Sequence, residues 1–262
     1  PTTVLANQHL DTFKKRFINY SYNISLLTRV IKNKQKLQYY NDIKSGKINI
    51  IIGTHALLNS DIQFKNIGLY IIDEEHKFGV KHKEELKSRI DNIDVLSLSA
   101  TPIPRTLNST LSQIKDMSVI NTPPIGRKNI NTTIIKLEKE VLKSYFDREI
   151  NRGGQVLYVH NNIESMDDQI KYLMSICSDY KIEKIHGKLK ASSVEKIMLK
   201  FLDNEIDILV CTSIIESGLD MDNVNTIIIN DAENFGLSQL HQIRGRVGRS
   251  NKQAYAALII ND

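Results

Sequence analysis

The string LYIIDEEHKFGVKHKEEL, residues 69–86, is an apolar run that ends abruptly in three carboxylates and a histidine. A buried parallel strand delivers such residues to the carboxyl edge of an open α/β sheet, where ligands bind. Asp73 can hold a hard cation such as Mg2+ through its water shell. Glu74, one residue on, can orient and deprotonate a water for in-line displacement at a γ-phosphate. Strand-terminal acids also cap helices or pair with lysines, and for a lone carboxylate that plainer account is the better one. An apolar strand running into Asp-Glu-x-His favours chemistry.

A second cluster lies near the other end, in QLHQIRGRVGRS (239–250). Gln242, Arg244, Gly245, Arg246, Gly248 and Arg249 bring three guanidiniums and two glycines close together. Glycines let backbone approach closely, and guanidinium forks match phosphate oxygens bidentately. An arginine so placed can stabilise charge on a transferring phosphoryl group. The rival is a basic turn that binds nucleic acid without chemistry.

Three weaker signals accompany these. Ser99 and Thr101, in SATP (99–102), put hydroxyls at a strand end where they could bond the carboxylates. A turn built on Pro102 and Pro104 accounts for them equally well. The run from Thr212 to Asp220 offers hydroxyls, Gly218 and two acids suited to ribose and backbone contacts, though an ordinary strand-to-helix turn looks similar. His55, after Ile52-Gly53-Thr54, and His186 sit in strand-end loops that could follow a sugar-phosphate backbone. A metal site from His55, His76 and the acids has no HxxxH or CxxC spacing behind it.

The elements that must position these residues read as a parallel α/β pattern, short apolar runs alternating with amphipathic stretches. Strands are expected at 48–53, 69–73 and 94–100, with helices over 8–17 and 33–46, the second closed by Gly46. The segment NTPPIGRKNINT (121–132) has adjacent prolines, a glycine and no apolar period, and reads as a linker. Beyond it, strands are expected at 155–161, 182–187, 207–213, 226–230 and 254–260. The expected organisation is a first lobe over 1–121, a linker over 122–132 and a second lobe over 133–262.

The 262 residues suit two lobes of about 120–140 residues each. A net charge of +5 mildly favours a polyanionic partner. Two cysteines, Cys177 and Cys211, fit a reducing cytoplasm better than a disulfide framework. No run approaches the roughly 18 apolar residues of a membrane span, so no membrane partner is expected. A lobe whose strand ends in DEEH should open with a GxxxxGK[ST] loop, and none is present. The expectation is that this is the middle of a longer polypeptide.

Taken in order, PTTVLANQH, IGTH, DEEHKFGVKHKE, SATPIPRTL, CTSIIESGLD and FGLSQLHQIRGRVGRS resemble motifs Ia, Ib, II, III, V and VI of the superfamily 2 helicases. The resemblance runs from Pro1 to Asp262 and is narrower than the superfamily. It points to the branch of the transcription-repair coupling factors and the RecG-type branched-DNA helicases. DEEH, RGGQVLYVHNNIE and GRSNKQAYAALI resemble the coupling factors more.

The resemblance implies two RecA-like lobes, each a mostly parallel sheet flanked by helices. It implies ATP and Mg2+ as cofactors and translocation on double-stranded DNA. RNA polymerase and excision-repair proteins would be engaged through regions outside this chain. Carried over, Asp73 takes the Mg2+ role, Glu74 activates water, and Arg246 and Arg249 face the γ-phosphate. Gln242, Gly218, Asp220, Glu75 and His76 join the nucleotide set. Ser99 and Thr101 couple hydrolysis to DNA, and Thr3, His55 and Thr212 contact the DNA strand. The family's phosphate-binding loop is not among these residues, so the isolated chain is expected to hydrolyse ATP negligibly. The alternatives are a RecG-type segment, or a non-catalytic DNA-binding remnant.

Overall fold

The computed structural model describes residues 2–28, 33–74, 93–98, 118–122, 126, 128–213 and 219–261, with 33–35 by backbone alone. The chain divides into two compact units, Pro1–Ile114 and Lys115–Asp262.

In the first unit, helix α1 (Thr3–Arg16) begins five residues earlier than the amphipathic pattern suggested. The cause is Thr2, whose side-chain oxygen accepts a hydrogen bond from the Leu5 amide at 3.3 Å. Lys14, Lys15 and Arg16 complement the dipole at its other end. Strands β1 (Ile24–Leu27) and β2 (Ile50–Gly53) pair in parallel. Helix α2 (Asn33–Ser45) connects them and is closed by Gly46, at φ +77°. Leu27, Ile43 and Ile62 form the local core. Strand β1 was not anticipated, because Ser25 interrupts a run of only four residues and its pairing with β2 is what selects the extended form.

Strands β3 (Leu69–Asp73) and β4 (Asp94–Leu98) form a second parallel pair, with Asp73 opposite Leu98. Expected strand residues 99 and 100, and the proline turn after them, lie outside the described residues.

The second unit carries a six-stranded, wholly parallel sheet in the order β5-β10-β9-β6-β8-β7. Its strands are β5 (Asn131–Ile135), β6 (Gln155–Val159), β7 (Ile182–Ile185), β8 (Ile208–Cys211), β9 (Val224–Ile229) and β10 (Tyr255–Ile259). Helices α3 (Lys139–Ile150), α4 (Met166–Ile176), α5 (Ala191–Leu202) and α6 (Leu237–Arg244) connect them. Every residue of β6, β8 and β9 is buried, as strands covered on both faces require. Strand β5 starts inside the segment expected as linker. Asn131, Thr132 and Thr133 are polar and exposed, so only their register against β10 reveals a strand.

Strand β6 leads through α4 toward β7, whereas β9 leads the opposite way toward β10. The direction of winding therefore reverses between β6 and β9, which are neighbours. Ligands of open α/β sheets bind at such points. Among the described residues no helix is long and apolar enough to cross a membrane.

Candidate functional site

The register of β3 against β4 places Asp73 at the last paired position of the strand. Its side chain is 31% exposed, open enough to exchange ligands with solvent. His9 on α1 approaches it, Nε2 to Oδ2 at 3.0 Å. That hydrogen bond, working against partial burial, holds the Asp73 carboxyl below the usual carboxylate range. An ionised, part-exposed carboxylate is a hard oxygen donor.

Glu74 follows with φ +55°, in the left-handed region that residues other than glycine rarely adopt. Its amide donates to the Leu98 carbonyl at 3.1 Å, so the ladder with β4 fixes the turn. The residue is 5% exposed. A carboxylate in such a conformation costs about 1–3 kcal/mol, and strain of this kind concentrates at sites of chemistry.

Among the described residues, no cluster of three or more His, Cys, Asp or Glu could cage a metal ion. Asp73 alone nonetheless suits Mg2+, which is usually held by one or two carboxylates with water and phosphate oxygens completing its shell.

In the second unit, Gly245 ends α6 and Gly248 turns the chain at φ +76°. A Cβ at Gly248 would meet the Ala254 Cβ at 3.0 Å and Ile130 at 3.3 Å, a tight fit that adds to the strain of the positive φ and favours glycine. This turn presents Arg249, whose Nη1 lies 3.5 Å from the Asp220 carboxylate. Two expected site residues, 29 apart in sequence, are thereby brought together. Nearby Asp222 is raised by burial and by the charge of Asp220, with Arg249 opposing. Arg244 is turned inward on its own unit, onto Thr132 Oγ1 and His241 Nδ1. Gln242 is exposed on α6, and Arg246 is half-buried.

The expected DNA contacts all lie at element ends. Thr3 is the first residue of α1. His55 opens a 3-10 turn capped by Thr54, after a close approach in which a Cβ on Gly53 would sit 2.3 Å from the Leu27 carbonyl oxygen. Thr212 follows β8 and is buried, its amide donating to the Ile185 carbonyl at 3.3 Å. Glu75, His76, Ser99, Thr101 and Gly218 lie outside the described residues.

A polar cluster at the reversal point between β6 and β9 escaped the sequence reading. The Asn230 amide donates to His160 Nδ1 at 3.0 Å, and His160 Nε2 lies 2.8 Å from the Ser165 hydroxyl. Burial pushes the His160 imidazole down toward its neutral form, with Asp231 opposing. The proton then belongs on Nε2, donated to Ser165, a tautomer assigned from the network. The available signal was that both strands end in polar pairs, His160-Asn161 and Asn230-Asp231. His9 was missed because nothing in a helical repeat marks a residue that reaches another element.

Residues 1–110 match the DEAD/DEAH box helicase model, and residues 135–251 match the helicase conserved C-terminal domain. The transcription-repair-coupling factor of Buchnera aphidicola is 47% identical over 262 residues, covering 100% of this chain and 32% of that protein. Its counterpart in Escherichia coli is 46% identical over 259 residues, covering 99% of the chain and 23% of that protein. Among solved structures, RecG bound to a three-way DNA junction superposes with a TM-score of 0.83 at 36% identity. That match covers 100% of this chain and 35% of RecG. The chain thus spans about a quarter to a third of the length of these relatives.

Proposed function

Because the chain belongs to the superfamily 2 helicases, in the transcription-repair-coupling factor family, we propose that it is part of an ATP-driven motor on double-stranded DNA. In the whole protein the motor displaces stalled RNA polymerase and promotes excision repair in the cytoplasm, its protein partners bound outside this chain. The observation that carries the reading is the end of β3, where an ionised Asp73 precedes a buried Glu74 in a left-handed turn.

Asp73 would hold Mg2+ through water, and the bound ion would neutralise charge on the β- and γ-phosphates of ATP. Glu74 orients the attacking water and accepts its proton. Arg246 and Arg249 offer guanidinium forks to phosphate oxygens, and Gln242 contributes to the nucleotide contacts. Asp220 holds Arg249 near its working position until phosphate competes for it. Thr3, His55 and Thr212 contact the DNA backbone.

The test is Glu74→Gln in the full-length protein. Turnover is expected to fall at least about 100-fold, the range general-base catalysis supplies, while nucleotide binding persists. Unchanged turnover would remove Glu74 from the mechanism, whereas a parent protein with no turnover at all would favour a non-catalytic DNA-binding remnant. A second reading, a branched-DNA helicase, is favoured by the likeness to RecG. Preferential unwinding of three-way junctions over movement along linear duplex would select it.

A further inference from the structure

We propose that His9 is a positioning residue for Asp73, and that α1 thereby links the orientation of that carboxylate to the DNA contact at Thr3. The inference rests on the functional reading of Asp73 and extends it to a residue outside that reading.

The pair is separated by 64 residues in sequence and joined at 3.0 Å. Stability does not explain it. The two side chains are 40% and 31% exposed, and exposed pairs of this kind contribute about 0–1 kcal/mol. Neither group is buried deeply enough to require a partner. What the contact does is orient. A carboxylate engaged through Oδ2 has lost most of its freedom to rotate, so its remaining acceptor capacity faces a fixed direction. Groups that hold a metal ligand in this way commonly change metal affinity or activity by about 10–100-fold when removed.

The helix that carries His9 gives the contact a second consequence. Val4, Leu5 and Ala6 are buried, which anchors the first turns of α1, and Thr2 caps it. Thr3 and His9 lie on this one helix, about 9 Å apart along its axis at 1.5 Å per residue. A load on Thr3 therefore displaces His9 as part of the same rigid body. Asp73 follows through the hydrogen bond, and no other described side chain donates to that carboxylate at the distances seen here.

The experiment compares His9→Ala, His9→Gln and Glu74→Gln in the full-length protein, measuring Mg2+-dependent binding of a fluorescent ATP analogue, and ATP turnover against Mg2+ concentration with and without linear duplex DNA. His9→Ala is expected to raise the Mg2+ concentration for half-maximal nucleotide binding and for half-maximal turnover several-fold. It should also lower DNA-stimulated kcat by about tenfold, with less effect on basal turnover. His9→Gln keeps a donor at the same reach and should restore both to within about threefold of the parent. Equal impairment in the Ala and Gln variants would reveal a packing role and overturn the proposal. So would parental behaviour of His9→Ala alongside a dead Glu74→Gln. If Glu74→Gln itself retains turnover, the functional reading of the β3 site fails first, and the role of His9 fails with it.

Discussion

Strands β4 and β8 both carry a short apolar run, Val95-Leu96 within DVLSL and the whole of ILVC, yet every residue of β4 is exposed and every residue of β8 is buried. Leu96 is 47% exposed and Leu209 is 0% exposed. The difference is sheet context. β8 is flanked by β6 and β7, whereas among the described residues β4 pairs with β3 alone. Apolar content allows a strand to be buried; neighbours on both edges and cover on both faces decide whether it is. The placement of residues at the end of β3 does not depend on that outcome. Asp73 and Glu74 are placed by two local facts, the register with Leu98 and the left-handed turn. Polar groups of the second unit are instead placed by a continuous sheet.

Matched substitutions sharpen the contrast most. Leu209→Asn puts an unpartnered amide into a filled core and is expected to cost about 4 kcal/mol. Leu96→Asn should cost about 1 kcal/mol or less. Hydrogen exchange resolved by unit reads both, and equal losses would break the comparison. Arg152→Ala comes next. Glu149 is fully buried, paired with Arg152 and hydrogen-bonded by the Thr226 hydroxyl. Removing the guanidinium strands that carboxylate at a cost of about 3 kcal/mol, confined to the second unit.

The smallest effect is a pH dependence. His160 is depressed in the folded state, so below about pH 6.5 the unfolded chain binds a proton that the folded one resists. Stability of the second unit should therefore fall as pH drops from 7 toward 5. His160→Gln should flatten that slope, and an unchanged slope would assign it to other groups.

Much of the fold was legible because most of its parallel strands are short, largely apolar runs. Strands β2, β3, β4, β6, β7, β8 and β10 all fall within expected runs, and β9 begins two residues ahead of its own. Two were missed for different reasons. β1 is brief and broken by Ser25, and β5 is a polar strand at the sheet edge. The helix N-terminus at Thr2 was misplaced because capping depends on one hydroxyl and not on periodicity.

The sequence by itself determined where chemistry could sit, since residue type and the end of an apolar run are local properties. Asp73, Glu74 and Arg249 are candidates on that basis. Which residues meet was decided only by the tertiary structure: His9 with Asp73, Asp220 with Arg249, His160 with Asn230. Each pair joins two different elements, and the chain distance between its members, 29 to 70 residues, leaves no periodic trace. Sheet order and helix packing supply that proximity, and they depend on burial summed over a whole unit, not on any one stretch of chain.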